Sequence, residues 1–145
     1  MSNKFLKYVS PIWNLDVDQY DHRSLRNPVW DQVLEKLRML EQQATGTVRL
    51  DASDNDGRTP DKMLTVNAHE GNFQIAFDDV VDGNRVLRLI YDETKPFGMI
   101  DLPEEDDWNE RCIIQDFEPI YAMFKEFLDT QNVTSPLLTW PPQSK

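Results

Sequence analysis

The chain of 145 residues has few of the cysteine, histidine and glycine residues that zinc sites and nucleotide-binding loops use. It contains one cysteine (Cys112), two histidines (His22 and His69) and five glycines, none of them adjacent to another. A single cysteine excludes an intramolecular disulfide and a four-thiolate zinc site. The sequence also has no Gly-rich phosphate loop and no GxSxG or HExxH pattern. We therefore predict no metal, no cofactor and no enzymatic activity.

Long apolar runs and an excess of basic residues are also missing. No stretch approaches the ~18 apolar residues of a membrane span, and the opening residues MSNKFLK hold no signal-peptide segment. With 15 Lys and Arg against 26 Asp and Glu, the net charge is −11 and the pI is about 4.5. Nucleic acids and anionic membranes both attract basic surfaces. We therefore expect a cytoplasmic protein that binds neither.

The composition that remains is that of one globular domain. Apolar residues make up 39% of the chain, which includes four Trp, seven Phe and four Tyr. A chain of this length buries roughly 68–70% of its unfolded surface and can form its own core. We predict a single domain over 1–145, in which residues 1–26 are an N-terminal arm packed on the core. Residues 139–145 are expected to form an extended tail.

Two stretches with helical periodicity enclose a region of alternating residues. Asn27 and Pro28 predict the start of the first helix, as N-cap and first helical residue. Asp116 is the predicted N-cap of the second, residues 130–132 its end, and residues 135–138 a possible further turn. Between the helices the period is two, which predicts strands at 47–50, 63–68, 73–77, 86–91 and 98–102. The predicted fold class is therefore α+β, an antiparallel β-sheet meander flanked by an N-terminal and a C-terminal amphipathic helix.

The polar segment at 51–61 resembles a calcium loop only at first sight. In the register that begins at Asp51, Asp56 occupies the sixth position, where Gly is needed, and Lys62 occupies the twelfth, where Glu is needed. The register that places Gly57 sixth begins at Ala52. We therefore predict a solvated loop between two strands.

Acidic residues are concentrated in the second half of the chain. Residues 1–50 carry seven basic and six acidic residues, whereas residues 51–145 carry eight and 20. A solvated acidic loop and a docking surface for a cationic protein are both compatible with this pattern. The candidate contact residues form two groups in the sequence, Asp101, Glu104, Glu105, Asp106, Asp107 and Trp108 in one, and Asp78, Asp79 and Asp82 in the other.

An ordered set of short motifs resembles a bacterial family of small cytosolic proteins that is linked to polymorphic-toxin and contact-dependent growth inhibition loci. The motifs span about residues 27–138 and are 27–30 (NPVW), 37–40 (LRML), 46–50 (GTVRL), 64–66 (LTV), 71–73 (GNF), 108–111 (WNER), 116–117 (DF), 124–127 (FKEF) and 133–135 (VTS). The pattern departs from the family at 130–132, where a Thr-Gly-Asp-like turn is expected. The resemblance implies an immunity protein.

The acidic charge and the resemblance lead to the same expectation. A nuclease toxin must be basic to hold a polyanion, so an acidic protein can bind it by charge complementarity. We therefore expect an immunity protein that neutralises a cognate toxin domain, of nuclease type, by stoichiometric binding. The alternative is a small-ligand-binding protein or enzyme with a pocket between helix and sheet. The sequence leaves open the toxin's identity, the blocked surface and the oligomeric state.

Overall fold

The structure is a computed structural model that describes residues 12–18, 23–53, 62–95, 99–100 and 108–140. A short 3-10 segment, Glu110–Cys112, precedes the second helix. The elements in chain order are β1 (Ile12–Asp18), β2 (Arg23–Arg26), α1 (Trp30–Gln43), β3 (Gly46–Ser53), β4 (Lys62–His69), β5 (Asn72–Val81), β6 (Asn84–Ile90), β7 (Met99–Ile100), β8 (Trp108–Asn109), α2 (Glu118–Thr130) and β9 (Leu138–Trp140).

The main sheet confirms the predicted α+β class and the meander, and it is wider than expected. Its seven strands lie in the order β2-β1-β3-β4-β5-β6-β9, and every neighbouring pair is antiparallel. Strands β3 to β6 are the meander that the alternation predicts. The hairpin β1–β2 and the short strand β9 extend it at both edges. Residues 138–140 are therefore strand, and the further turn predicted at 135–138 is a single turn before it, in which the Leu138 N–H donates to the Ser135 carbonyl at 3.3 Å.

Both helices pack on one face of this sheet and enclose the core. The strands contribute aligned rows of apolar residues, such as Val48, Val66 and Ile75 in successive strands. These residues are fully buried, and burying such a side chain stabilises the fold by ~1.5–3 kcal/mol. The helices contribute the fully or almost fully buried residues Val33, Leu37, Leu40, Ile120, Met123, Phe124 and Phe127.

Helix α1 begins later than the predicted Asn27 N-cap. Asn27 has φ 51, whereas an N-cap residue has extended backbone. Val29 takes the N-cap position with φ −90 and ψ 165, and its N–H donates to Gln32 Oε1 at 2.9 Å. Pro28 therefore precedes the helix instead of starting it. The helix stops at Ala44, whose left-handed backbone ends the helical path.

Helix α2 follows the prediction more closely. Asp116 does not occupy the N-cap position, which Phe117 takes, but its Oδ1 accepts the Glu118 N–H at 3.1 Å. It therefore satisfies one of the free amides of the first turn. The helix ends at Thr130, and Gln131 has the left-handed φ of 62 that terminates it.

Two tight turns define the meander, as the glycines predict. Glu70 and Gly71 have φ of 50 and 84, and Asp82 and Gly83 have φ of 53 and 79. Positive φ at both central residues is the geometry of a type I′ turn, whose twist suits an antiparallel hairpin.

The predicted polar loop at 51–61 is wrong at its start, because β3 continues through Ser53. Asp51 is only 6% exposed, and its carboxylate lies 3.9 Å from the Arg49 guanidinium. A buried carboxylate with an ion-pair partner is tolerated within a strand, so polarity alone does not mark the loop. The remainder of the calcium-like segment lies outside the described residues. Strand β5 is also longer than predicted, because it continues through Asp78 and Asp79 to Val81.

Candidate functional site

The chain leaves the main sheet between β6 and α2 and makes an excursion over residues 91–113. Strand β6 pairs with β5 only from Ala76 onward. The chain returns at Ile114, which forms an isolated antiparallel bridge with Phe73 on the same edge of β5. Between these points β7 and β8 form a separate two-stranded sheet. We call residues 91–113 the acidic excursion, since they contain eight acidic and two basic residues.

The predicted acidic cluster lies in the sequence between the two strands of the excursion. Met99 pairs with Asn109, and Ile100 pairs with Trp108. Residues 101–107 therefore connect two paired strands. Asp101, Glu104, Glu105, Asp106 and Asp107 lie outside the described residues, and Trp108 is placed by its backbone in β8.

The two basic residues of the excursion lie at its base and join the outgoing chain to the returning chain. Arg111 Nε donates to the Lys95 carbonyl at 3.0 Å, and Arg111 Nη1 donates to Tyr91 Oη at 3.1 Å. The Lys95 ammonium donates in the opposite direction, to the Ile113 carbonyl. The Asp92 N–H donates to the Arg111 carbonyl at 2.7 Å. Four hydrogen bonds therefore close the base.

A tight turn follows the start of the excursion. The Asp92 carboxylate accepts the Thr94 hydroxyl at 2.6 Å and the Thr94 N–H at 3.0 Å. The hydrogen bond from the Thr94 hydroxyl contributes most to holding the pKa of Asp92 below its ordinary value, and the bond from the Thr94 N–H contributes next. The positive charge of Lys95 lowers this pKa further. The carboxylate therefore stays charged where it orders the turn.

The second predicted group lies at the far end of β5 and is electrically balanced. Asp78 lies 3.3 Å from the Arg85 guanidinium, and Asp79, 9% exposed, lies 3.5 Å from the Lys62 ammonium. Asp82 lies in the exposed turn; its backbone carbonyl accepts the Asn84 side-chain amide at 3.4 Å, and no described contact pairs its carboxylate with a cation. Nine residues separate Asp82 from Phe73, which corresponds to about 30 Å along a strand. The return point of the excursion at Ile114 and the Asp82 turn therefore lie at opposite ends of β5.

The ion pair of Asp79 belongs to the fold. Besides Asp79, the Lys62 ammonium contacts the Gln131 carbonyl, to which it donates at 3.0 Å. A cation at a helix C-terminus is favourable because the carbonyls there carry partial negative charge. Asp79 and Lys62 thus fix the end of α2 to the sheet.

In the described part of the chain, the residues considered for metal or acid–base chemistry do not form a cluster. Among the described residues no group of three or more His, Cys, Asp or Glu side chains could hold a metal ion. His69 Nε2 lies 3.8 Å from its neighbour Glu70, and His22 lies outside the described residues. Cys112 is buried, and burial raises the pKa of its thiol. In the described part of the chain no helix is both long and apolar enough to cross a membrane.

Comparison with known proteins identifies the family and supports the fold. Residues 10–137 match a family of unknown function, DUF6911, and the chain belongs to that family. A crystal structure of a hypothetical protein from Neisseria gonorrhoeae is similar in fold, with a TM-score of 0.61 at 11% identity. The similarity covers 90% of this chain and 94% of the other. No curated protein matches the sequence.

Proposed function

We propose that this protein binds a basic partner protein through the acidic excursion, and that it acts as an immunity protein that neutralises a cognate, nuclease-type toxin domain in the cytoplasm. The observation that supports the proposal is the distribution of charge. The excursion has a net charge of −6 in a chain of net charge −11, and both of its cations are bonded at its base. Residues 101–107 contain five acidic residues and no basic residue, and this run of like charge is the group that we propose attracts a basic surface.

Electrostatic steering gives the proposal a physical basis. A clustered charge raises association rates by 10–10³-fold at low salt, and nuclease–immunity pairs reach dissociation constants near 10⁻¹³–10⁻¹⁶ M at the extreme (order of magnitude). Such an inhibitor needs a complementary surface and no catalytic group. The layer between helices and sheet, which the alternative of a ligand pocket would require, is filled by apolar side chains such as Phe77, Phe124 and Phe127.

The test compares two variants of equal net charge. In the first, Glu104, Glu105, Asp106 and Asp107 are each replaced by lysine, which changes the net charge from −11 to about −3 by simple charge counting. In the control, four exposed helix residues, Asp31, Glu35, Glu118 and Asp129, are replaced by lysine. The binding probe is the product of the neighbouring open reading frame, in an inactivated form, and its association is followed by stopped-flow at several salt concentrations.

We expect the first variant to associate 10-fold or more slowly, with a weaker salt dependence, and the control to change much less. Equal slowing of both variants would mean that total charge, not the excursion, steers the partner. Unchanged kinetics in both would refute the proposed contact. An Asp82→Lys variant tests the second group separately. Coexpression with the active toxin tests immunity itself, because the wild-type chain should restore growth.

A further inference from the structure

We propose that Arg111 is a positioning residue that locks the ribbon β7–β8 onto the edge of the main sheet and thereby prolongs the residence time of the bound partner. The second half of this inference rests on the proposed function. The first half concerns the chain alone and is tested without a partner.

Both ends of the acidic excursion are fixed to the same strand. At the outgoing end, β6 is hydrogen-bonded to β5 up to Leu89, opposite Ala76. At the returning end, Ile114 and Phe73 exchange two backbone hydrogen bonds of 2.9 Å each. The 23 residues from 91 to 113 therefore begin and end on β5, and their arrangement depends on what joins them between these points.

The ribbon itself supplies little order. Each of its strands has two residues, and an isolated two-stranded hairpin is at best marginally stable in water. Among the described residues, the hydrogen bonds that can orient the ribbon lie at its base, where residues 91–95 and 110–113 meet.

Arg111 is the side chain that joins these two segments most extensively. Its Nε and Nη1 atoms reach the Lys95 carbonyl and the Tyr91 hydroxyl, at 3.0 and 3.1 Å. Its guanidinium carbon also lies 6.0 Å from the centre of the Tyr91 ring. A planar guanidinium can bond two acceptors in fixed directions and stack on an aromatic ring, whereas the ammonium of lysine is a point donor on a flexible stem. The geometry thus requires the shape of arginine in addition to its charge.

An ordered ribbon favours binding because less conformational freedom is lost when the partner docks. Affinity differences among variants of one interface arise mostly in the dissociation rate. A loosened ribbon with unchanged carboxylates should therefore release the partner faster, while long-range attraction, and with it the association rate, changes little.

The test uses Arg111→Gln and Arg111→Lys. The control is Arg85→Gln, which removes a guanidinium from β6, opposite Val80 near the far end of β5. Amide hydrogen exchange is measured by NMR on the full chain. We expect the amides at 99–100 and 108–109 to exchange roughly tenfold faster or more in both Arg111 variants, since two hydrogen bonds are lost. Val66 and Ile75 in the main sheet should not change, and Arg85→Gln should behave as wild type.

Several outcomes would overturn the inference. Unchanged exchange in the ribbon would show that Arg111 does not order it. Faster exchange of Val66 and Ile75 by the same factor would show a general loss of stability. Full protection in Arg111→Lys would show that charge alone suffices.

The binding arm uses the inactivated product of the adjacent gene. We expect dissociation to be roughly tenfold faster in the Arg111 variants, with association changed much less. Suppose that the ribbon loosens and the lysine variant of 104–107 associates slowly, but the partner dissociates from the Arg111 variants at the wild-type rate. The link between ribbon order and residence time is then wrong, and the proposed function stands. If the ribbon loosens but the lysine variant of 104–107 associates normally, the proposed contact fails while the ordering role of Arg111 holds.

Discussion

Replacing Phe77 by alanine should remove a large part of the stability of the protein, because this side chain joins three parts of the fold. Phe77 is fully buried in β5. Its ring lies edge-to-face on Phe127 of α2, with centroids 5.3 Å apart, and the Arg88 guanidinium lies 5.2 Å from the ring centre. Truncating a buried Phe costs about 3–5 kcal/mol, and the aromatic pair contributes ~0.5–1.5 kcal/mol of that. Domains of this kind are stable by about 5–15 kcal/mol in total.

The free energy of unfolding is measured by urea titration with circular dichroism and linear extrapolation. Val86→Ala is the control, since Val86 is exposed on the neighbouring strand and should change stability by less than ~0.5 kcal/mol. A double-mutant cycle with Phe77→Leu and Phe127→Leu should give a coupling of ~0.5–1.5 kcal/mol. A loss below ~2 kcal/mol for Phe77→Ala, or zero coupling in the cycle, would refute this description of the core.

Two further predictions concern polar contacts of helix α2. Lys62→Met should destabilise the protein by about 1–3 kcal/mol in a urea titration, because it removes the cation beside the buried Asp79 carboxylate and the donor to the Gln131 carbonyl. The Val80 N–H still donates to Asp79 Oδ1 at 2.7 Å, and an unchanged midpoint would contradict the role of Lys62. The Tyr121 hydroxyl donates to Glu41 Oε1 at 2.5 Å. Burial is the main cause that raises the pKa of Tyr121 above its ordinary value, and the hydrogen bond to Glu41 and the negative charge of Glu41 raise it further. The contribution of Tyr121 to stability is therefore complete below pH ~10 and is lost at higher pH, so Tyr121→Phe should reduce the alkaline loss of stability, and an identical pH profile would contradict the assignment.

Much of the central fold can be predicted from local sequence. The meander follows from alternation interrupted by Glu70–Gly71 and Asp82–Gly83, where positive φ is needed and glycine supplies it without strain. The end of α2 is likewise marked by a polar run. The strands β1 and β9 carry no comparable signal. These segments are strands because each pairs with a strand that has a free edge: β1 pairs with β3, and β9 pairs with the end of β6. Such tertiary pairing has no local sequence pattern.

The acidic cluster is visible in the sequence, whereas the structure around it is not. Tyr91, Lys95 and Arg111 meet at the base of the excursion although up to 20 residues separate them, and no motif connects them. A partial signal exists, since Lys95 and Arg111 are the two cations on either side of the acidic run. Successive side chains of a strand point to opposite faces of the sheet. The sequence alone therefore predicts that Asp78 and Asp79, once assigned to a strand, do not form one surface.

The positions of the cations determine which acidic group would attract a basic partner most strongly. At physiological ionic strength the screening length is about 8 Å, so a basic surface responds to the nearest cluster of unpaired charge and much less to the total charge of the chain. Asp78 and Asp79 are paired with cations, which leaves Asp82 as an isolated charge about 30 Å from the return point of the excursion by strand length. In the excursion the cations are bonded at the base, outside the 101–107 segment. If a basic partner is steered by charge, as proposed, we expect the charge reversal at 104–107 to slow its association more than Asp82→Lys does.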